Sequence, residues 1–284
     1  MASPGTEKSL LASLHRASYH LIVRLTNIPP TPRKPVQLYL CLIAFLSSWI
    51  LAPLSSDLHA EDKADPKNAK ASVKKIGENL YQLGDITFNG KTREIRFPVT
   101  MNLEKGLLEY VLVTDEGKIH ESLLSTKVRP AQLQIALKLC HYTEGVGDIF
   151  DALYPEDEKK GAAGRADRGS ALRIAAEWTE KSDGVEKPRR FQINELIRDL
   201  KTQTKMSPDQ WIYSGSIIYE GTFIAESEGT LIAVYIDNGS LINSFRPGSD
   251  DDERWVTNAE VAPSMGTPIT LILSPNKGPQ PTSK

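Results

Sequence analysis

The stretch Gly117-Lys118-Ile119-His120-Glu121-Ser122-Leu123-Leu124 sets an ammonium, an imidazole, a carboxylate and a hydroxyl between apolar neighbours. A histidine and a serine together could act as general base and nucleophile, with Glu121 or Glu109 as the carboxylate partner of the imidazole. Read as a strand, however, the stretch puts His120 and Ser122 on one face and Glu121 on the other. Residues two apart on a strand lie ~7 Å from one another, too far for the direct hydrogen bond that activates a serine. Ser122 also lacks a tight strand-to-helix elbow. The pattern therefore favours hydrogen-bonded groups that fix a turn or adjacent strands. Lys118, His120, Glu121 and Ser122 stand as candidate ligand-binding residues, and no residue is assigned as catalytic. On the structural reading, His120→Ala costs about 1 to 3 kcal/mol through the partners it leaves unsatisfied.

Other chemistry is sparse. His120 and His141 are the only histidines beyond residue 60, and their spacing does not suit a two-histidine zinc site. The run Asp250-Asp251-Asp252-Glu253 lacks the alternating ligand spacing of a calcium loop, so it reads as a solvated turn. Trp178, Trp211 and Trp255 could line a binding face, but packing is the commoner role of large aromatics. The chain has no G-x-x-x-x-G-K-[ST], G-x-G-x-x-G, H-E-x-x-H, G-x-S-x-G or C-x-x-C. Nucleotide hydrolysis, dinucleotide redox, zincin and α/β-hydrolase chemistry thereby lose their usual support. The expectation is no metal and no cofactor.

The ends of the chain bear on location. Residues 38–51 read LYLCLIAFLSSWIL, and nothing from residue 36 to 56 is charged. Upstream stand Lys8, Arg16, Arg24, Arg33 and Lys34 against one acid, Glu7; downstream come Asp57, Glu61, Asp62 and Asp65. A basic flank, an apolar run and an acidic exit describe an export signal with its N-terminus held inside. The run is short for a full span of about 20 residues, yet residues 36–54 almost reach it. A cleaved signal and an uncleaved single anchor both fit. Cys41 lies inside the run rather than after it, which argues against lipid attachment. Beyond residue 60 the chain holds 29 basic and 34 acidic residues, net −5, against −2 for the whole. That balance argues against a nucleic-acid partner. Cys140 is the one cysteine in this part, so no internal disulfide is available to it, and it reads as a small buried hydrophobe.

The elements that position these residues follow from periodicity. Ile86 and Phe88, then Ile95 and Phe97, flank Asn89-Gly90, a hairpin signal. Residues 107–114 form an apolar strand, and Asp115-Glu116-Gly117 turns it into a second one over 118–124. Pro130 opens a helix whose buried stripe is Leu133, Ala136, Leu137 and Cys140. Residues 142–169 lose all period and read as a loop. Residues 172–178 alternate as a strand, ended by a turn at Ser182-Asp183-Gly184. Leu196, Ile197 and Leu200 suggest a helix over 193–204. Further strands are read at 211–219, 221–225, 231–236 and 269–273. The fold class expected is α+β, a strand-rich mixed domain with a few short helices. Residues 1–56 would be the leader and apolar segment, 57–76 a flexible linker, 77–275 a single domain and 276–284 a disordered tail.

Two blocks resemble the YdjY-type domain family of bacterial proteins. Residues 93–139 carry R-E-I-R-F-P, G-L-L-E-Y-V-L-V, G-K-I-H-E-S-L-L and R-P-A-Q-L-Q-I-A-L. Residues 211–275 carry W-I-Y-S-G-S, E-G-T-L-I-A-V-Y, D-D-D-E-R-W-V-T-N and G-T-P-I-T-L-I-L-S-P. The resemblance implies a signal-bearing bacterial envelope protein and no particular activity; its signature falls on Lys118, His120, Glu121 and Ser122. The function expected is that of an exported domain, periplasmic or extracellular, binding an envelope ligand or protein without catalysis. The alternative is an enzyme using His120 with Glu121 or Glu109.

Overall fold

The computed structural model describes residues 72–146, 149, 169–182, 184–208 and 211–276. The apolar run at 36–56 and the tail beyond 276 lie outside them. All described residues belong to the unit Lys63–Lys284. No helix among them is long and apolar enough to cross a membrane.

Strands carry the architecture. A first set is β1 (Lys74–Gly77), β2 (Leu80–Leu83), β3 (Ile86–Asn89), β4 (Ile95–Met101), β5 (Tyr110–Thr114) and β6 (Ser122–Thr126). A long hairpin follows, β7 (Ser170–Ser182) with β8 (Val185–Gln192), then β9 (Ile197–Asp199) and β10 (Thr204–Lys205). The rest are β11 (Trp211–Tyr213), β12 (Ile218–Tyr219), β13 (Thr222–Phe223), β14 (Thr230–Ala233), β15 (Ile242–Ser244), β16 (Trp255–Thr257) and β17 (Pro268–Pro275). The described helices are α1 (Pro130–Leu139) and the short α2 (Ile224–Glu228).

The main sheet runs β1-β2-β3-β4-β17-β7-β11-β15-β14-β5-β6, and β6 pairs back onto β4. That pairing closes eight strands, β4 to β6, into a barrel. This corrects the α+β expectation. The pattern of strands was legible, but closure depends on the pairing of β4 with β6, two strands whose own residues do not announce each other. Closure also removes two sheet edges that would otherwise expose unpaired N–H and C=O groups. The strands β3, β2 and β1 extend the sheet outward from β4, and β8 pairs with β7.

Alternation fills the interior. On β4, Ile95, Phe97, Val99 and Met101 are buried, while Arg96, Pro98 and Thr100 are half-buried or exposed. Leu271 and Leu273 of β17 and Ile174 and Ala176 of β7 join the same core as Leu112, Leu124, Ile232 and Ile242. The stripe Leu133, Ala136 and Leu137 of α1 is buried in it too, as its spacing requires.

Two charged side chains from elsewhere in the chain finish α1. Arg129 supplies no side-chain cap at its start. Instead a Glu226 carboxylate oxygen of α2 accepts the Ala131 N–H at 2.9 Å, placing negative charge at the positive end of the helix dipole. At the other end His141 adopts a left-handed φ of 57°, its N–H reaching the Lys138 carbonyl and the Tyr142 N–H the Leu137 carbonyl. This is the double-bonded helix stop more often built on glycine. Arg93 then donates to the Cys140 and His141 carbonyls at 2.7 and 2.8 Å, and its guanidinium lies 4.4 Å over the Tyr142 ring.

Several local expectations change. The hairpin joins β3 to β4, but its left-handed residue is Arg93 (φ 64°), and neither Asn89 nor Gly90 has positive φ. Asn89 uses its side-chain oxygen to accept the Lys91 and Thr92 N–H groups. Residues 118–124 are not one strand antiparallel to the preceding one. Pairs such as Tyr110↔Ser122 and Leu112↔Leu124 make β5 and β6 parallel, so 115–121 must carry the chain back along the strand and includes a 3-10 turn at Ile119–Glu121. Residues 193–204 form a 3-10 turn (Ile193–Leu196), then β9 and β10, not a helix. Asp199 accepts the Lys201 and Thr202 N–H groups through its side chain, and this local bonding outcompetes the helix ladder. Strand 211–219 divides into β11 and β12, and 221–225 splits into β13 and the first turn of α2. The strand 172–178 falls within β7, and β1 begins within the stretch read as linker.

Arg93→Ala removes charged donors from the end of α1 while leaving the barrel strands intact. It is expected to lower unfolding free energy by about 2 kcal/mol in chemical denaturation, with m unchanged. Arg93→Lys should recover only part of the loss, since an ammonium cannot span both carbonyls as a planar fork does.

Candidate functional site

The return connection between β5 and β6 spends its polar groups on holding its own shape. Ser122 is buried, and its hydroxyl donates to the Lys118 carbonyl at 2.5 Å. The Asn102 amide donates to the carbonyls of Ile119 and, at 2.7 Å, Ser122. Neither base nor nucleophile is assembled here. The His120 side chain is 77% exposed, and its Nε2 lies 3.4 Å from a Glu121 oxygen. At this exposure His120→Ala leaves no partner unsatisfied, contrary to the cost expected from its sequence context. The strand reading misplaced it because the parallel return puts Ile119–Glu121 on a turn at the surface.

Lys118 points to a network that sequence reasoning missed. Its Nζ donates to the Tyr110 hydroxyl at 2.9 Å and sits 5.1 Å from that ring's centre. The Tyr110 hydroxyl lies 3.5 Å from an Asp237 carboxylate oxygen. Asp237 also accepts the Ser240 hydroxyl and the Gly239 N–H at 2.9 and 2.8 Å. Buried Asn243 on β15 accepts the Asp237 N–H and donates to the Ser214 hydroxyl, 2.8 Å each. Burial, and next the Asp237 carboxylate, push the Tyr110 hydroxyl far above its ordinary range. Tyr110 therefore keeps its proton and is no base. Glu109 is pushed up as well, by burial first and then by the neighbouring Glu121 carboxylate, with Lys118 opposing. In the sequence Asp237 is followed by Asn238-Gly239, a turn-forming pair that gives no hint of Asp237's partners.

The acidic run resolves into architecture. Asp251 pairs with Lys201. Arg254 donates from Nε and Nη2 to one oxygen of Asp199, at 3.1 and 2.7 Å, tying β16 to β9. Burial alone would raise the Asp199 carboxyl; the Arg254 hydrogen bond and the Lys201 and Thr202 N–H groups outweigh it and hold it below the usual range. Among the described residues no group of three histidine, cysteine or acidic side chains is placed to hold a metal ion. The tryptophans pack: Trp178 stacks on Phe191, Trp211 lies under Arg246, and Trp255 donates to the Gly248 carbonyl. Burial pushes the Cys140 thiol up to about 11, Arg93 opposing, which keeps it an unreactive hydrophobe.

A concavity lies elsewhere, where β4 exchanges partners. β4 pairs with β3 as far as Arg96 and with β6 from Thr100. Pro98, between them, needs no ladder donor, and its carbonyl accepts the Thr126 hydroxyl at 2.7 Å. A groove of about 900 Å³ crosses the barrel here, reaching β17, β7 and β8. Apolar parts of Pro98, Trp178, Pro188 and Ile269 face it. Glu177 in its wall is held by Arg96 and Arg190. Among the described residues Asp85, Asp115 and Lys127, also lining the groove, have no side-chain partner.

Two expectations follow. His120→Ala changes unfolding free energy by less than about 0.5 kcal/mol, as exposed positions do, while Asn102→Ala costs about 1 to 3 kcal/mol by orphaning two carbonyls; equilibrium denaturation measures both. Asp199→Asn breaks a pair whose carboxylate is 6% exposed and costs about 3 kcal/mol at neutral pH. Because the folded pKa is depressed, this contribution is fully present above the unfolded pKa and is lost as pH falls through the folded one. The gap between wild type and variant therefore narrows below about pH 4 in a stability–pH series.

No curated protein and no solved structure shows significant similarity to the chain. The family model of the YdjY domain matches residues 86–274, from the first residue of β3 to within β17, and so takes in the whole barrel. The chain belongs to the YdjY domain family.

Proposed function

We propose that the chain is an exported, non-catalytic binding domain of the bacterial envelope, and that it holds a segment of a partner protein in the groove beside β4. The observation that carries this reading is the groove itself: an apolar floor with the unpaired Asp85, Asp115 and Lys127 around it. Charged groups without partners keep their full interaction for a ligand, and a floor of proline and aliphatic surface adds desolvation. Two free carboxylates against one free ammonium favour a segment bearing lysine or arginine beside an apolar residue. The basic flank, apolar run and acidic exit around residues 36–56 support export, either as a cleaved signal or as a tether. The alternative of an enzyme built on His120 with Glu121 or Glu109 gains no support. His120 stands in solvent, and the nearby hydroxyl of Ser122 is committed to a backbone carbonyl.

The test is selection of a displayed random peptide library on the full-length chain in detergent, then calorimetric titration of the synthetic consensus peptide. The expected consensus pairs a basic with an apolar residue. Asp85→Asn/Asp115→Asn should weaken its binding tenfold or more, about 1.4 kcal/mol, without lowering the melting temperature. Enrichment no better than on an unrelated barrel protein, or equal affinity in the double variant, overturns the reading.

A further inference from the structure

The chain enters its sheet beside the groove. Lys74 of β1 lies opposite Gln82 of β2, and Leu83 lies opposite Ile86 of β3 across the turn Gly84-Asp85. The start of β1 therefore stands at the same end of these strands as that turn, whose Asp85 lines the groove beside β4. Ser72, the first described residue, is exposed just before it. The chain that precedes Ser72 thus meets the sheet within about two strand spacings, ~10 Å, of Asp85.

Residues 63–71 lie outside the described residues and read K-A-D-P-K-N-A-K-A. Lys63, Lys67 and Lys70 stand against one acid, Asp65, and each lysine has an alanine or a proline beside it. This composition is the complement of the groove. Among the described residues Asp85 and Asp115 stand there against Lys127, all without a side-chain partner, over an apolar floor. The cations on its β8 side are answered already, Arg189 by Glu180 and Arg190 by Glu177. Unanswered negative charge is therefore concentrated on the β4 side, near where the chain arrives. Reach is ample: residues 63–71, when extended, span ~30 Å, while the groove crosses from β4 over β17 and β7 to β8, about 14 Å.

We propose that residues 63–71 of the same chain occupy this groove, and so compete in cis with the partner segment. The proposal rests on the reading of the groove as a peptide site and adds its regulation. A segment joined so close to its site acts at an effective concentration of ~1 mM, so a dissociation constant of about 100 μM already fills the groove roughly ten times more often than not. A partner must then bind more tightly than the groove chemistry alone would demand, or arrive when the segment is held elsewhere.

The experiment treats the full-length chain in detergent with a carbodiimide, which joins an ammonium to a carboxylate in contact with it, and maps the links by mass spectrometry. Links from Lys63, Lys67 or Lys70 to Asp85 or Asp115 are expected, and within single chains when ¹⁴N- and ¹⁵N-labelled protein are mixed. The ion pairs Lys138–Glu144 and Lys181–Glu186, at 2.8 and 2.9 Å, serve as internal standards. A synthetic peptide of residues 61–72 is then titrated in trans. It should bind Lys63→Gln/Lys67→Gln/Lys70→Gln at least tenfold more tightly than wild type, and lose that gain when Asp85→Asn/Asp115→Asn is added. Standards that link while none of the three lysines reaches Asp85 or Asp115, links only between chains, or equal affinity of the peptide for wild type and the triple variant overturns the proposal. The links report on this chain's own segment and the displayed library on a partner, so the two readings fail separately.

Discussion

Everything in this barrel depends on β4 holding different neighbours along its two halves. Its first residues pair with β3 and its last with β6, while its other edge runs along β17 throughout. Only the second half closes the barrel, so the first half leaves β3, β2 and β1 to fan outward as an extension. Inward-facing Ile95, Phe97, Val99 and Met101 stay in one core through the exchange, because alternation along a strand is independent of which neighbour it bonds. The edge pays at the crossover, where backbone groups lose ladder partners. Pro98 lessens that cost by having no N–H, and Thr126 meets its carbonyl. β7 makes the same exchange between β11 and β8. The groove beside β4 sits at its crossover, where a strand that changes partners leaves a gap that neither neighbour fills.

Charged side chains finish what the strands leave open. Arg93 and Glu226 come from distant parts of the chain to meet opposite ends of α1, each with the sign the helix dipole favours. Arg254 and Asp199 join the small sheet β10-β9-β16, and Lys201 with Asp251 repeats the linkage nearby. The family signatures R-E-I-R-F-P and D-D-D-E-R-W thus acquire structural meaning. Their arginines, Glu94 and Asp251 are tied to partners in the fold, and Trp255 closes onto the Gly248 carbonyl.

The Lys118-to-Asn243 network has the same character. It runs from the surface turn before β6 through Tyr110 and Asp237 into the buried centre of β15, linking segments that are far apart in sequence. Its groups are hydrogen-bonded to one another, and its tyrosine is held protonated. A network satisfied in this way confers order, whereas reactivity needs a group poised to gain or lose a proton. Among the described residues Asp85, Asp115 and Lys127, beside the partner exchange of β4, carry charge without a side-chain partner, and the proposed binding reading rests on them.

The sequence alone determined what short-range physics controls. Alternation marked β3, β4, β7 and β17; Pro130 and the Leu133-Ala136-Leu137 stripe marked α1; the two blocks of motifs marked the family. Read as a strand, the sequence sets His120 and Ser122 ~7 Å apart on one face; in the structure His120 lies on a surface turn and the Ser122 hydroxyl donates to the Lys118 carbonyl. Only tertiary structure decided the rest. Parallel pairing of β5 with β6 turned 118–121 from strand into surface turn, and Asp199's side-chain bonds turned an apparent helix into β9 and β10. Closure of β6 onto β4 converted an expected mixed α+β domain into a barrel, and the partner exchange of β4 set the groove beside it. Each of these rests on contacts between residues distant in the chain, whose free energy depends on pairing and burial that no local pattern encodes.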